Sequence, residues 1–191
     1  MIEIRGLTKR FGSETVFDCL DLDIETTGIT CIMGPSGCGK TTLLNILAGL
    51  TRYGGIVTGV PERIGYVFQS SSLMPHKTLL DNSLFVGADR EYAEHLFELT
   101  ELKDVMNKYP NRVSGGQRQR ASIVRAIACR PELILMDEPF SSVDRDLKLR
   151  IMERLRRELD ETTTPCIFVT HDREEAEVFG ERLLNLGLIS R

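Results

Sequence analysis

Residues Gly34-Pro35-Ser36-Gly37-Cys38-Gly39-Lys40-Thr41 fit the pattern G-x-x-x-x-G-K-[ST], and each residue type at that spacing has work to do on a phosphate. Gly34, Gly37 and Gly39 let the backbone wrap so that several N–H groups point at a β-phosphate, with the positive end of the following helix behind them. Lys40 brings a point charge to the β and γ oxygens, and the Thr41 hydroxyl reaches Mg²⁺. Much further along, Asp137-Glu138 closes an apolar run. Asp137 is placed either to hold Mg²⁺, directly or through water, or to cap a helix. Glu138 is the candidate general base for the water that attacks a γ-phosphate, a role typically worth about 10²–10⁴-fold; positioning and charge stabilisation do most of the rest. Between these two lies Val113-Ser114-Gly115-Gly116-Gln117. Ser114 and the N–H groups of Gly115 and Gly116 open a helix that suits an anion, although Ser-Gly-Gly alone is also an ordinary capped helix start.

These residues need elements to carry them. Leu20-Asp21-Leu22-Asp23-Ile24 alternates apolar and acidic residues, as a half-buried strand does; with residues 2–5 and 16–17 it predicts an antiparallel β region near the N-terminus. Residues 29–33 form a short apolar strand running into the phosphate loop. Residues 40–50 read as a helix, with Leu43, Leu44, Leu47 and Ala48 on one face and Gly49 near its end. Residues 51–68 return to strand-like text ending at Gln69. From about 70 to 112 the pattern becomes helical, with Leu96, Phe97, Leu99 and Leu102 spaced along a helix over 91–105, and predicts an insertion with its own small core. Ser114 caps a helix that Pro131 stops. Leu133-Ile134-Leu135-Met136 is too short and too apolar for anything but a buried parallel strand, one expected beside the strand of the phosphate loop. An amphipathic helix over 146–160 and a strand over 166–170 ending at His171 complete a parallel sheet whose carboxyl edge carries the chemistry.

Composition narrows the classes. With 191 residues, 41% hydrophobic and 27% charged, the chain has the make-up of an ordinary globular protein with one sizeable core, and residues 1–191 read as a single domain with the helical part, about 70–130, inserted in it. A net charge of −4 gives no electrostatic case for nucleic acid; Arg112, Arg118, Arg120 and Arg125 read as a solvated helix face. Five cysteines contain no C-x-x-C pair and no zinc spacing, and Cys31 and Cys166 sit in apolar runs as small hydrophobes. Met1-Ile2-Glu3-Ile4-Arg5 does not read as a signal peptide. Nothing approaches the roughly 20 apolar residues that cross a bilayer, so the expected location is cytoplasmic, with any membrane role arising through a partner.

The ordered set of phosphate loop, Val113–Gln117 and Asp137-Glu138 resembles the ATPase of an ATP-binding cassette (ABC) transporter; the family's usual first residue in the second segment is Leu, and Val113 is a mild apolar departure. The resemblance covers essentially the whole chain and implies a P-loop NTPase parallel-sheet core with an N-terminal antiparallel β region and an inserted helical subdomain. It implies ATP and Mg²⁺ as ligands. ATP would be held by Gly34, Pro35, Ser36, Gly37, Cys38, Gly39, Lys40, Thr41 and Thr42, by Phe11 stacking on adenine with Val16 beside it, and by Ser114, Gly115, Gly116, Gln117 and Asp144 from the opposite subunit of a head-to-tail dimer. Thr41, Gln69 and Asp137 would hold the metal, and Glu138, His171, Gln69 and Lys40 would carry catalysis. In this scheme Gln69 senses the metal and the attacking water and couples to the membrane partner, Ser142-Val143-Asp144 crosses to the other subunit, and His171 contacts the γ-phosphate. His76 and His95 match no family role.

Asp137-Glu138-Pro139-Phe140-Ser141-Ser142-Val143-Asp144 is similar to importer subunits, and residues 73–82 to ATPases that dock on a separate membrane subunit. The resemblance therefore implies transmembrane permease partners, an extracellular or periplasmic substrate-binding protein in the full complex, a homodimer or pseudo-symmetric dimer in the ATP-bound state, and a peripheral position on the inner face of the cell membrane. An export-type or non-transport ABC ATPase is the alternative. The chain is expected to lack a C-terminal regulatory domain. A chromosome-maintenance ATPase would separate its motifs by a long coiled coil, a translation-associated member would carry two cassettes, and a non-catalytic subunit would lose Lys40, Glu138 or His171. The cargo is not written in these residues; the general likeness is to small importers of nitrate, sulfonate or thiamine-precursor type.

Overall fold

The computed structural model describes residues 1–189. Two β layers organise it. In the first, strand β1 (Ile2–Phe11) pairs antiparallel with β2 (Glu14–Ile24) and, on its other edge, with β4 (Gly54–Thr58). Ile2, Ile4 and Leu7 of β1 and Leu20, Leu22 and Ile24 of β2 are buried while their neighbours face outward, the period-two pattern of a sheet with one wet face. The second layer is parallel: β3 (Ile29–Met33), β5 (Ile64–Val67), β6 (Leu133–Asp137), β7 (Cys166–Val169) and β8 (Arg182–Asn185) lie in the order β5-β6-β7-β3-β8. The expectation that β6 would adjoin the phosphate-loop strand is corrected by this order. β7 lies between them, pairing with β3 on one side and β6 on the other.

Alternate residues of the parallel strands feed two cores. Leu133, Leu135, Ile167 and Val169 pack with β1, β2 and helix α1 (Lys40–Leu47). Ile134, Met136, Cys166 and Phe168 face the remaining helices: α2 (Leu79–Phe85), α3 (Arg90–Leu99), α4 (Gly115–Ala128), α5 (Arg145–Glu161) and α6 (Arg173–Phe179). Strands covered on both faces need no polar alternation, which is why these runs are continuous in apolar residues. The Cys31 thiol, buried among them, has its pKa pushed up to about 12 by desolvation, helped by the nearby Glu175 charge, so it behaves as a hydrophobe. A short helix α7 (Leu186–Ile189) follows β8.

Three sequence expectations change. The helix over 91–105 stops at Leu99, where Glu101 takes φ 54°, and Leu102 reaches the core from the bend before a 3₁₀ turn at Lys103–Val105. The helical insertion has no core of its own: Leu96, Phe97 and Leu102 share one cluster with Ile134, Met136 and Phe168 of the sheet. Arg118, Arg120 and Arg125 do not form a solvated face. Arg120 is buried and donates to the carbonyls of Thr100 and Glu101 at 2.6 and 3.2 Å, Arg118 donates to the Val113 carbonyl at 2.8 Å, and Arg125 donates to the Ser72 carbonyl at 2.7 Å. Only Arg112 of the four is exposed.

Candidate functional site

The loop of residues 34–39 joins β3 to α1 at the carboxyl edge of the parallel sheet. Gly39 takes φ 98°, and a Cβ there would lie 2.7 Å from both Val16 Cγ1 and Phe17 Cζ. The glycine is therefore required twice, by its left-handed backbone and by the close pass of the β1–β2 hairpin. Lys40, buried, folds back over the loop, its Nζ donating to the carbonyls of Gly34 and Pro35 at 2.8 and 3.0 Å. Beside the loop opens a cleft of about 390 Å³, within the range of small-ligand sites. Ser36, Gly37, Gly39 and Lys40–Thr42 form its floor, Phe11, Glu14 and Val16 of the hairpin form one wall, and Gln69 and Glu138 close its far end. Phe11 is 54% exposed, which leaves part of it free for a flat ligand, and the Lys9 ammonium lies 4.4 Å from its ring centroid.

Asp137 ends β6 almost fully buried, and its Oδ1 has no hydrogen-bond partner. Burial pushes its carboxyl above the usual range and the Glu138 charge adds to that, while a hydrogen bond with Thr41 and the Lys40 charge oppose it. An orphaned buried carboxylate oxygen next to a hydroxyl fits a hard divalent cation, which takes oxygen ligands and would restore the charged form. Among the described residues no three His, Cys, Asp or Glu side chains gather to hold a metal by themselves; Mg²⁺ characteristically needs only one or two carboxylates when phosphates supply the rest.

Glu138 follows with φ 45°, a left-handed conformation that costs a non-glycine residue roughly 1–2 kcal/mol. Its N–H donates to the Val169 carbonyl at 3.0 Å, tying it to the end of β7. Gln69 Nε2 donates to Glu138 Oε2 at 3.3 Å, and His171 Nδ1 lies 3.2 Å from Oε1. Three residues far apart in sequence thus meet at one carboxylate. His171 itself lines two flanking cavities, of about 160 and 470 Å³, rather than the phosphate cleft. Gly34 and Pro35 also line the larger of these, and Cys38 packs with Val16 against the core.

The remaining candidates stand apart. Ser114 caps α4 in a reciprocal box: Gln117 N–H donates to Ser114 Oγ at 3.2 Å, and Ser114 N–H donates to Gln117 Oε1 at 2.9 Å. Asp144 caps α5, accepting from the Asp146 N–H at 3.2 Å. Neither these residues nor Gly115 and Gly116 line the phosphate cleft. Sequence reasoning missed two contributors. Glu14 lines the cleft from the hairpin, and no motif marks it. Gln119 is buried in α4 and its Nε2 donates to the Phe68 carbonyl at 2.9 Å, holding the backbone just before Gln69; a glutamine on the inner face of an amphipathic helix was the available signal.

The chain is similar to known proteins along essentially its whole length. Residues 17–141 match the family model described as ABC transporter. The sulfate/thiosulfate import ATP-binding protein CysA of Bordetella bronchiseptica is 39% identical over 215 aligned positions, covering 100% of this chain and 61% of the relative. The protein of the same name from Pseudomonas aeruginosa is 36% identical, with 100% of this chain and 65% of the relative covered. The chain spans about three-fifths of the length of these relatives. Among solved structures, the ATP-binding cassette MJ0796, a dimer in a post-hydrolysis state bound to ADP and Pi, superposes with a TM-score of 0.86 at 32% identity over 98% of this chain and 95% of that one. A second dimeric structure of MJ0796, described as a bacterial ABC transporter cassette, gives 0.86 at 33% identity over the same shares.

Proposed function

This chain belongs to the ABC transporter family, and we propose that it is the ATP-binding and ATP-hydrolysing subunit that energises import across a membrane through a separate transmembrane partner. The observation that carries the reading is the meeting of Gln69 and His171 on Glu138 at the end of the phosphate cleft. A carboxylate held by two side chains, next to a loop built for phosphates, is aimed where a water would attack a γ-phosphate. The import direction is supported by the relatives at 36–39% identity that are named import ATP-binding proteins.

In this reading the backbone of residues 34–39 and the α1 N-terminus hold the β-phosphate, and Lys40 leaves the Gly34 and Pro35 carbonyls to reach the β and γ oxygens. Phe11 and Val16 take the base. Thr41, Asp137 and Gln69 would hold Mg²⁺, which when bound would supply charge stabilisation for the phosphate oxygens. Glu138 accepts the proton of the attacking water, and Gln69 and His171 keep its carboxylate oriented. Ser114, Gly115, Gly116, Gln117 and Asp144 complete the site of a second subunit, so that ATP joins two copies or two homologous chains. Permease subunits dock on the helical region, and a substrate-binding protein outside the membrane delivers cargo; the chain itself works at the inner face.

Exchanging Glu138 for Gln removes the base and keeps the shape. Glu138→Gln is expected to bind ATP and to accumulate as a dimer with Mg-ATP but not without nucleotide, read by light scattering. A monomer under both conditions overturns the proposal.

A further inference from the structure

His171 presents a puzzle of support. Its side chain is 67% exposed and meets Glu138 at 3.2 Å, so packing does not aim it. Its direction is decided by the backbone on either side, and both neighbours are gripped from below. Thr170, buried, donates through Oγ1 to Glu175 Oε2 at 2.5 Å and accepts through the same oxygen from the Asp172 N–H at 3.0 Å. Lys148, on the first turn of α5, donates to Asp172 Oδ2 at 2.8 Å and to Glu175 Oε1 at 2.7 Å. Its side chain is 10% exposed and that of Glu175 5%, which puts a charged cluster beneath the reacting edge of the sheet. Burial works against the Lys148 ammonium, but hydrogen bonds to the two carboxylates outweigh it and hold the pKa above the ordinary lysine range; the same contact holds Asp172 below the usual carboxylate range.

The backbone of Lys148 is fixed by the start of α5. Its own N–H donates to the Asp144 carbonyl at 2.8 Å, the first regular bond of the helix, so its side chain reaches Asp172 and Glu175 from a rigid base. We propose that Lys148 is a positioning residue: by gripping Glu175 and Asp172 it fixes the backbone at Thr170 and Asp172 and holds the His171 imidazole against Glu138. This rests on the reading of the chain as an ATPase in which Glu138 and His171 act together. The alternative for a buried ion cluster is that it only stabilises the fold, and the two are separable.

The test is a double-mutant cycle on ATP hydrolysis by the full-length protein in its membrane complex, with melting measured first. Lys148→Met is expected to lower kcat about tenfold or more with KM for ATP unchanged within twofold, because the phosphate loop is untouched. In a His171→Ala background the same substitution is expected to cost nothing further, since the residue it acts through is gone. Where Lys148→Met alone does not fold, Lys148→Met/Glu175→Gln, which removes both buried charges, takes its place with the same expectation. A kcat loss that multiplies onto that of His171→Ala overturns the proposal, as does an unchanged kcat or a proportional rise in KM. A wild-type protein that does not turn over ATP refutes the ATPase reading instead, so the two failures are distinct.

Discussion

At the scale of single residues, the proposed ATPase places its chemistry on Asp137 and Glu138 at the expense of stability. Asp137 carries a buried oxygen without a partner and a carboxyl pushed up chiefly by burial; Glu138 sits at φ 45°. Neither arrangement helps the chain fold, and such strain gathers where a site needs it. An acid whose folded pKa lies above its unfolded value binds its proton better when folded, so its charge costs stability above the unfolded pKa and that cost vanishes in acid. Asp137→Asn is therefore expected to raise the melting temperature of the nucleotide-free protein at pH 7 by about 2–4 °C, a shift of ordinary size for a single stabilising change in a domain this large. The gain should shrink to nothing as pH falls toward about 4, the unfolded carboxylate range. The same variant should lose Mg²⁺-dependent hydrolysis. Scanning calorimetry across pH checks it; an Asp137→Asn protein that melts lower than wild type at pH 7 contradicts the account.

At the scale of elements, α4 is the member that joins separated parts of the site. Its first turn is the capped start at Ser114, its second holds Gln119 against the Phe68 carbonyl, and its third brings Arg125 to the Ser72 carbonyl and hydroxyl at 2.7 and 3.1 Å. Residues 68–72, which carry Gln69, thus hang from α4 at two points. Arg125→Met removes one of them while keeping an apolar stem. It is expected to speed amide exchange at residues 69–73 by about tenfold and to lower hydrolysis several-fold, with ATP affinity unchanged; unaltered exchange there would show that α4 does not hold the segment. This pair of bonds also shows what sequence could and could not reveal. Strands β3, β6 and β7 are legible because burial on both faces leaves them almost wholly apolar, Thr30 and the site residue Asp137 aside, and the phosphate loop because three glycines and a lysine at fixed spacing have few other uses. Arg120 and Arg125 of α4 do not read as buried from the sequence because their partners are backbone carbonyls 20 and 53 residues away, which no local pattern displays; Arg118 turns back onto the Val113 carbonyl just before its own helix. The break at Leu99 escaped for a similar reason: Glu101 adopts φ 54°, and Arg120 caps the carbonyls of Thr100 and Glu101 from another helix. Ion pairs of Glu101 with Arg150 and Arg154 at 3.3 and 3.4 Å hold the same bend against α5.

At the scale of the whole molecule, the two glycines at the start of α4 separate what this chain needs from what a second chain needs. A Cβ on Gly116 would lie 2.7 Å from the Ser142 carbonyl oxygen, a fixed backbone atom, so glycine there serves the packing of α4 on the loop before α5. A Cβ on Gly115 would meet only the end of Arg118, at 3.8 Å, among the described residues; none of these forbids a side chain, and alanine is the better helix former. In the proposed assembly, a glycine that its own fold does not need, at an exposed helix start off the phosphate cleft, leaves room for a ligand approaching from outside. That ligand is the ATP held by Lys40 of another subunit. Gly116→Ala should therefore lower the melting temperature by several degrees, through the clash alone. Gly115→Ala should leave it unchanged or slightly higher, and should still abolish the Mg-ATP-dependent dimer when combined with Glu138→Gln. Light scattering and thermal melts on the two variants, side by side, decide the matter. If Gly115→Ala in the Glu138→Gln background dimerises as tightly as Glu138→Gln alone, the helix start is no half-site and the active unit must be assembled in another way.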